Sequence, residues 1–169
     1  MALDDGNRYE LIDGKLYMMS APNRIHQKLL GNFFIPLANY LKGKRCEVYL
    51  APFDVRLNAD KEDDTVVQPD IVVVCDHSKL NDKGCAGSPD LAIEILSPHS
   101  IRHDKITKYN RYLRAGIREY WIVDPVNKSV QVNILTDTDY IKSDYQEADT
   151  VPVHVLKGCQ IELRDIFDY

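Results

Sequence analysis

The sequence predicts an α/β (α+β) fold: a mixed β-sheet flanked by helices and led by an N-terminal β-hairpin. Three patterns carry this expectation. Apolar residues recur at helical spacing over 21–43. Two short runs, "DIVVVCD" and "DLAIEILS", have the length and branching of buried strands. Hairpin, helix, strands, helix and strands then follow one another, so helices and sheet must cover each other's apolar faces.

"RYELIDGKLYMMS" supplies the hairpin, with two alternating arms around Asp13-Gly14, a pair suited to a tight turn. "APNRIHQKLLGNFFIPLANYLKG" places Ile25, Leu29, Leu30, Phe33, Phe34, Leu37 and Leu41 at intervals of three to four. Pro22 suits the first helical turn and Gly43 its end, while Pro36 can kink or split the helix. "CEVYLAPFDVRL" reads as one long strand or two short ones, and "NADKEDDTVVQ" as a polar loop. "DIVVVCD" and "DLAIEILS" are strands separated by a loop rich in Gly, Asn and Ser. "SIRHDKITKYNRYLRAGI" reads as a helix capped near Ser100 and terminated by Gly116 in the left-handed conformation. "EYWIVDPVNKSVQVNIL" is a second hairpin turning at Asp124 to Lys128. "VPVHVLKGCQIELRDIF" adds a strand or two and a short terminal helix.

The 169 residues, 44% of them hydrophobic, suffice for one globular domain over 1–169. A net charge of −5 argues against coating nucleic acid by bulk charge and leaves a local basic groove open. No apolar run nears the ~20 residues of a membrane span and no secretion signal is evident, so a cytoplasmic protein without membrane contact is expected. Cys46, Cys75, Cys85 and Cys159 lack metal-site spacing and read as reduced thiols. P-loop, nucleotide-fingerprint, GxSxG and HExxH patterns are absent.

The costly residue is Glu94, set in the middle of an apolar strand. Alternation puts Asp90, Ala92, Glu94 and Leu96 on one face, and Asp70 leads the preceding strand. If those strands are neighbours, Asp70 and Glu94 converge, and two carboxylates repel unless a divalent cation such as Mg²⁺ or Mn²⁺ lies between them. The alternative makes Glu94 a core ion-pair partner and Asp70 a turn residue. The following helix is locally basic, with Arg102, Lys105, Lys108 and Arg111 against Asp104. On a regular wheel Ile106, Tyr109 and Leu113 form its apolar stripe, with Lys108 roughly 130° and Lys105 roughly 75° from its centre. Taken alone these cations are a solvated face, His26 a surface or core histidine, and Glu10 a solvent-facing strand residue.

"YELIDGKLY", "QPDIVVV", "PDLAIEILSPHSIRHDKITKYNRYLRAGIREYWIVDP" and "LKGCQIELRDIF" together resemble the Uma family of bacterial restriction-endonuclease-like proteins, in the PD-(D/E)xK nuclease superfamily. The resemblance runs from about Arg8 to Phe167. It implies a restriction-endonuclease-like sheet and a Mg²⁺- or Mn²⁺-dependent phosphodiesterase acting on nucleic acid, with DNA the expected substrate. Asp70 and Glu94 match its metal-binding acids, and Glu10 and His26 match site neighbours. Leu96 stands where the superfamily signature has lysine, and the resemblance moves that lysine to Lys108, with Lys105 the other candidate. Arg102, Lys105 and Arg111 would contact the nucleic-acid backbone. A homodimer is expected from the superfamily. The competing class is a non-catalytic nucleic-acid-binding or assembly module that keeps the fold.

Overall fold

The computed structural model describes residues 7–58, 64–98 and 103–169. It opens on the expected hairpin, β1 (Tyr9–Ile12) and β2 (Lys15–Met18), turning through Asp13 and Gly14, both at positive φ. Helix α1 (Arg24–Leu41) is capped by Asn23, whose side chain accepts the His26 N–H, so the cap lies one residue beyond Pro22. It runs through Pro36 undivided and buries Leu29, Leu30, Phe33, Leu37 and Leu41.

Short strands follow: β3 (Glu47–Leu50), β4 (Val55–Arg56), β5 (Val66–Val67), β6 (Ile71–Val74), β7 (Leu80–Asn81), β8 (Gly84–Ala86) and β9 (Leu91–Ile95). "CEVYLAPFDVRL" is therefore two strands. A π-helical turn over His103–Lys108 leads into α2 (Tyr109–Ala115), which Gly116 ends at φ 78°. The expected cap Ser100 lies outside the described residues. Then come β10 (Glu119–Asp124), β11 (Ser129–Leu135), β12 (Tyr140–Gln146), β13 (Thr150–Pro152), β14 (Gln160–Glu162) and α3 (Leu163–Ile166).

The central sheet has the order β12-β11-β10-β9-β6-β3. Within it β9 and β10 are parallel and the other neighbours antiparallel. A second sheet, β2-β1-β5-β4-β8-β7, carries the N-terminal hairpin at one end. Strand alternation separates two cores. Leu91, Ile93 and Ile95 of β9 pack with α1 and α3, whereas Ala92 and Leu96 pack with Tyr112 of α2 and with Ile12, Val55 and Val67 of the second sheet. Glu94 shares the second face. The end of β9 thus meets helices and the second sheet together, which is where a pocket can form.

Two expectations are corrected. Cys46 and Cys75 are joined as a disulfide, because the β3–β6 register that pairs Glu47 with Val74 makes them cross-strand neighbours one step further on. Cys85 and Cys159 remain free and buried. The apolar stripe after Pro98 is also different: Ile106 is 54% exposed, and the buried line is Asp104, Lys108 and Tyr112. A π turn, bonded i to i+5, advances less per residue than the ~100° of an α-helix. It aligns these residues four apart and swings Lys108 inward.

Candidate active site

Neighbouring strands bring Asp70 and Glu94 face to face. Ile71 of β6 pairs with Ile93 of β9, so the register continued by one residue sets Asp70 opposite Glu94. Both line a cavity of about 760 Å³, together with Glu10, His26, Asp104 and Lys108. Asp70 Oδ2 accepts the Ile95 N–H at 2.7 Å and lies 3.1 Å from His26 Nε2. One carboxylate oxygen is thereby fixed from the adjacent strand and from α1. Burial disfavours the charged His26 ring, but the hydrogen bond and charge of Asp70 outweigh burial and raise its pKa. His26 Nδ1 is buried without a hydrogen-bond partner among the described residues.

Glu94 is 3% exposed. Its Oε1 accepts from Lys108 Nζ at 3.0 Å and from the Tyr112 hydroxyl at 2.7 Å. Lys108 Nζ also stands 2.9 Å from Glu10 Oε1 and 3.6 Å from Asp104 Oδ1. Three carboxylates therefore enclose one ammonium. Burial, reinforced by Asp104, Asp70 and Glu10, pushes the Glu94 carboxyl well above its ordinary range despite Lys108. Burial would discharge Lys108, but Glu10, Glu94 and Asp104 overcome it and hold the amine charged.

Glu10 differs from Glu94 because a backbone N–H reaches it as well as Lys108. Its Oε1 accepts the Gln68 N–H at 2.8 Å, and His103 Nε2 lies 3.5 Å from its Oε2. Burial raises the Glu10 pKa, yet Lys108, His103 and Gln68 together bring it down to about 2. The pocket thus holds one carboxyl firmly ionised beside one that resists ionisation.

The family model described as "Putative restriction endonuclease" (Uma2) matches residues 1–164. The chain belongs to the Uma2 family. An uncharacterized protein of Synechocystis sp. is 24% identical over 146 residues, covering 84% of this chain and 74% of that relative. The crystal structure of "a putative nuclease belonging to DUF820" from Anabaena variabilis superposes with a TM-score of 0.76 at 21% identity, covering 94% of this chain and 89% of that one. This likeness shows the restriction-endonuclease-like fold. Family and fold together support a nuclease-like function for this Uma2 chain.

Five expected residues of the Uma2 chain, Glu10, His26, Asp70, Glu94 and Lys108, meet at one pocket. Glu10 is 3% exposed, which corrects its reading as a solvent-facing strand residue. Lys105 is exposed and borders a different hollow with Asp124, Gln131 and Asp144, because the π turn that buries Lys108 turns its neighbour outward. Arg111 pairs with Asp13 of the hairpin turn. Arg102 lies outside the described residues. Asp90 serves the opposite end of β9, accepting the Cys75 N–H at 2.7 Å and Arg118 Nη1 at 2.9 Å.

Sequence reading missed the contributions of Asp104, Tyr112 and Gln68. Asp104, Lys108 and Tyr112 stand four apart, the usable signal. Gln68 precedes Pro69-Asp70 without any pattern of its own. Among the described residues no helix is long and apolar enough to cross a membrane.

Proposed function

We propose that the chain is a Mg²⁺- or Mn²⁺-dependent endonuclease that hydrolyses phosphodiester bonds of nucleic acid, with DNA as substrate. The observation that carries this reading is Asp70 opposite Glu94 across β6 and β9, with Lys108 Nζ 3.0 Å from Glu94. Membership in a family described as restriction endonucleases supports the reaction class.

The donor set fits a hard divalent ion. Asp70 Oδ2 and Glu94 Oε1 carry the hydrogen bonds described above, which leaves Asp70 Oδ1 and Glu94 Oε2 as the candidate ligands. Among the described residues no group of three or more His, Cys, Asp or Glu is arranged around a metal. Two carboxylates completed by water and phosphate oxygens are a pattern that Mg²⁺ commonly takes. Charge points the same way: Glu10, Asp70, Glu94 and Asp104 outnumber Arg8 and Lys108 in this cavity. A bound divalent ion would supply Lewis-acid stabilisation at the phosphate.

The chain's own groups account for the rest. His26 and the Ile95 N–H orient Asp70, while Tyr112 and Lys108 orient Glu94. Lys108, held charged by Glu10 and Asp104, places a fixed positive charge where negative charge develops on the phosphorane. We further propose that residues 1–169 act as one cytoplasmic nuclease-like domain that pairs as a homodimer.

Nicking of supercoiled plasmid tests the reading. It should require Mg²⁺ or Mn²⁺, stop with chelator, and vanish in Asp70→Ala and Glu94→Ala proteins whose circular dichroism is unchanged. Undiminished nicking by either variant sinks the assignment. Binding without cleavage of either the plasmid or a single-stranded circle in the parent protein favours the non-catalytic module.

A further inference from the structure

We propose that this site takes single-stranded nucleic acid, with an unpaired base stacked on Tyr17 at the pocket rim. The inference rests on the nuclease reading and narrows its substrate to one strand.

The first observation is a shortage of available cations. Duplex binders draw much of their affinity from Lys and Arg that neutralise phosphates. Among the described residues, Arg8 and Lys108 are the only Lys or Arg lining this cavity, against Glu10, Asp70, Glu94 and Asp104. Both cations are engaged. Arg8 donates to Gln68 Oε1 at 3.1 and 2.6 Å, and Lys108 is enclosed by carboxylates. Arg111 is paired with Asp13, and Lys105 borders a different hollow. Among the described residues, little free positive charge is thus left at the pocket for phosphates, so a further contact would add affinity.

The second observation supplies one. All four residues of β2 are exposed, although three of them are large and apolar: Leu16 (43%), Tyr17 (37%) and Met18 (67%). Hairpin register sets Tyr17 opposite Glu10, hence on the same face as the pocket acid. The Tyr17 ring lies 4.6 Å from the His103 ring, and Tyr17, Met18 and Met19 all line the cavity. An aromatic surface at the mouth of an acidic pocket suits the π-face of a nucleobase. Stacking of this kind contributes about 1–3 kcal/mol per base and tolerates any sequence. Bases inside a duplex are already stacked on both sides, so only unpaired ones can use it. The cavity, about 760 Å³, has the dimensions of a small-ligand pocket, which one or two splayed nucleotides would fill.

Fluorescence anisotropy with Ca²⁺ in place of Mg²⁺ tests the proposal. The probes are a labelled DNA oligonucleotide, its RNA counterpart and the blunt DNA duplex of the same sequence. The single strands should bind about tenfold or more tighter than the duplex. Tyr17→Ala should weaken single-strand binding about tenfold and Tyr17→Phe should keep it, both with unchanged melting temperature. A 2-aminopurine in the strand should be quenched by the parent protein and not by Tyr17→Ala. Equal or tighter duplex binding, an unaffected Tyr17→Ala, or no binding of any probe overturns the proposal. Cleavage assays separate the two readings: divalent-dependent nicking of duplex plasmid without faster cutting of a single-stranded circle leaves the nuclease standing and removes only this inference.

Discussion

Lys108 Nζ lies 3.0 Å from Glu94 Oε1, although the two residues come from a π turn and a β-strand fourteen positions apart. Under the proposed reading, Lys108 of the next helical element stands in for the lysine expected two residues after the acid. Leu96, at the vacated position, packs into the core. The pair is also unequal in stability. Lys108 is the ammonium shared by three carboxylates, so Lys108→Ala leaves them facing each other and should cost about 3–5 kcal/mol. Glu94 resists ionisation, so Glu94→Gln should abolish nicking yet raise the melting temperature, by about 2–4 °C for each ~1 kcal/mol gained. Thermal denaturation at neutral pH checks both, and a destabilised Glu94→Gln would contradict the charge balance described here.

Glu10 should make the protein acid-sensitive. Its carboxyl is lowered from 4.5 to about 2 on folding, so the folded state favours the ionised form. That contribution is complete above the unfolded value and is lost as pH falls from about 4.5 towards 2, on the order of 3 kcal/mol in all. Urea unfolding as a function of pH should show the loss in the parent protein and a much flatter profile in Glu10→Gln.

In the proposed site His26 would position Asp70, whose Oδ2 lies 3.1 Å from its Nε2. Removing it in His26→Ala frees the carboxylate to rotate, and partners of metal ligands typically contribute 10–100-fold in metal affinity. Mn²⁺ affinity should fall by about that factor, with circular dichroism unchanged. An unaltered affinity would remove His26 from the site.

The Cys46–Cys75 disulfide closes a loop with a sequence separation of 29. Linkages of this span stabilise by about 2–4 kcal/mol, so reductant or Cys46→Ser should lower the melting temperature measurably. Disulfides are rare in a reducing cytoplasm, so a cytoplasmic protein would populate the weaker, reduced form. Thiol labelling after extraction under trapping conditions measures the proportion.

Much of this arrangement was legible because single strands and helices announce themselves. The run around Glu94 identified a buried acid, and alternation along β9 gave its face correctly. The helix with Leu29, Phe33 and Leu37 was equally plain, and Gly116 ends α2 in the left-handed conformation expected of it. What stayed hidden depends on long-range pairing or on irregular winding. No local pattern marks the two-residue strand Val66–Val67 at the end of the segment read as a polar loop, or the register that joins Cys46 to Cys75. The π turn defeats a regular wheel, which sets Ile106 inside and Lys108 outside, the reverse of what the structure shows. Burial alone would also mislead. Glu119 is 0% exposed, but it accepts from Trp121 Nε1 at 2.7 Å and the Val155 N–H at 2.8 Å, a structural carboxylate satisfied by donors.

Calorimetric titration of Mn²⁺ into the parent protein and into Asp70→Ala shows whether Asp70 and Glu94 hold a divalent ion. The arrangement predicts saturable binding in the parent and its loss in the variant, with both proteins folded. Equal heats in the two, or no heat in the parent, would contradict a divalent ion shared by Asp70 and Glu94.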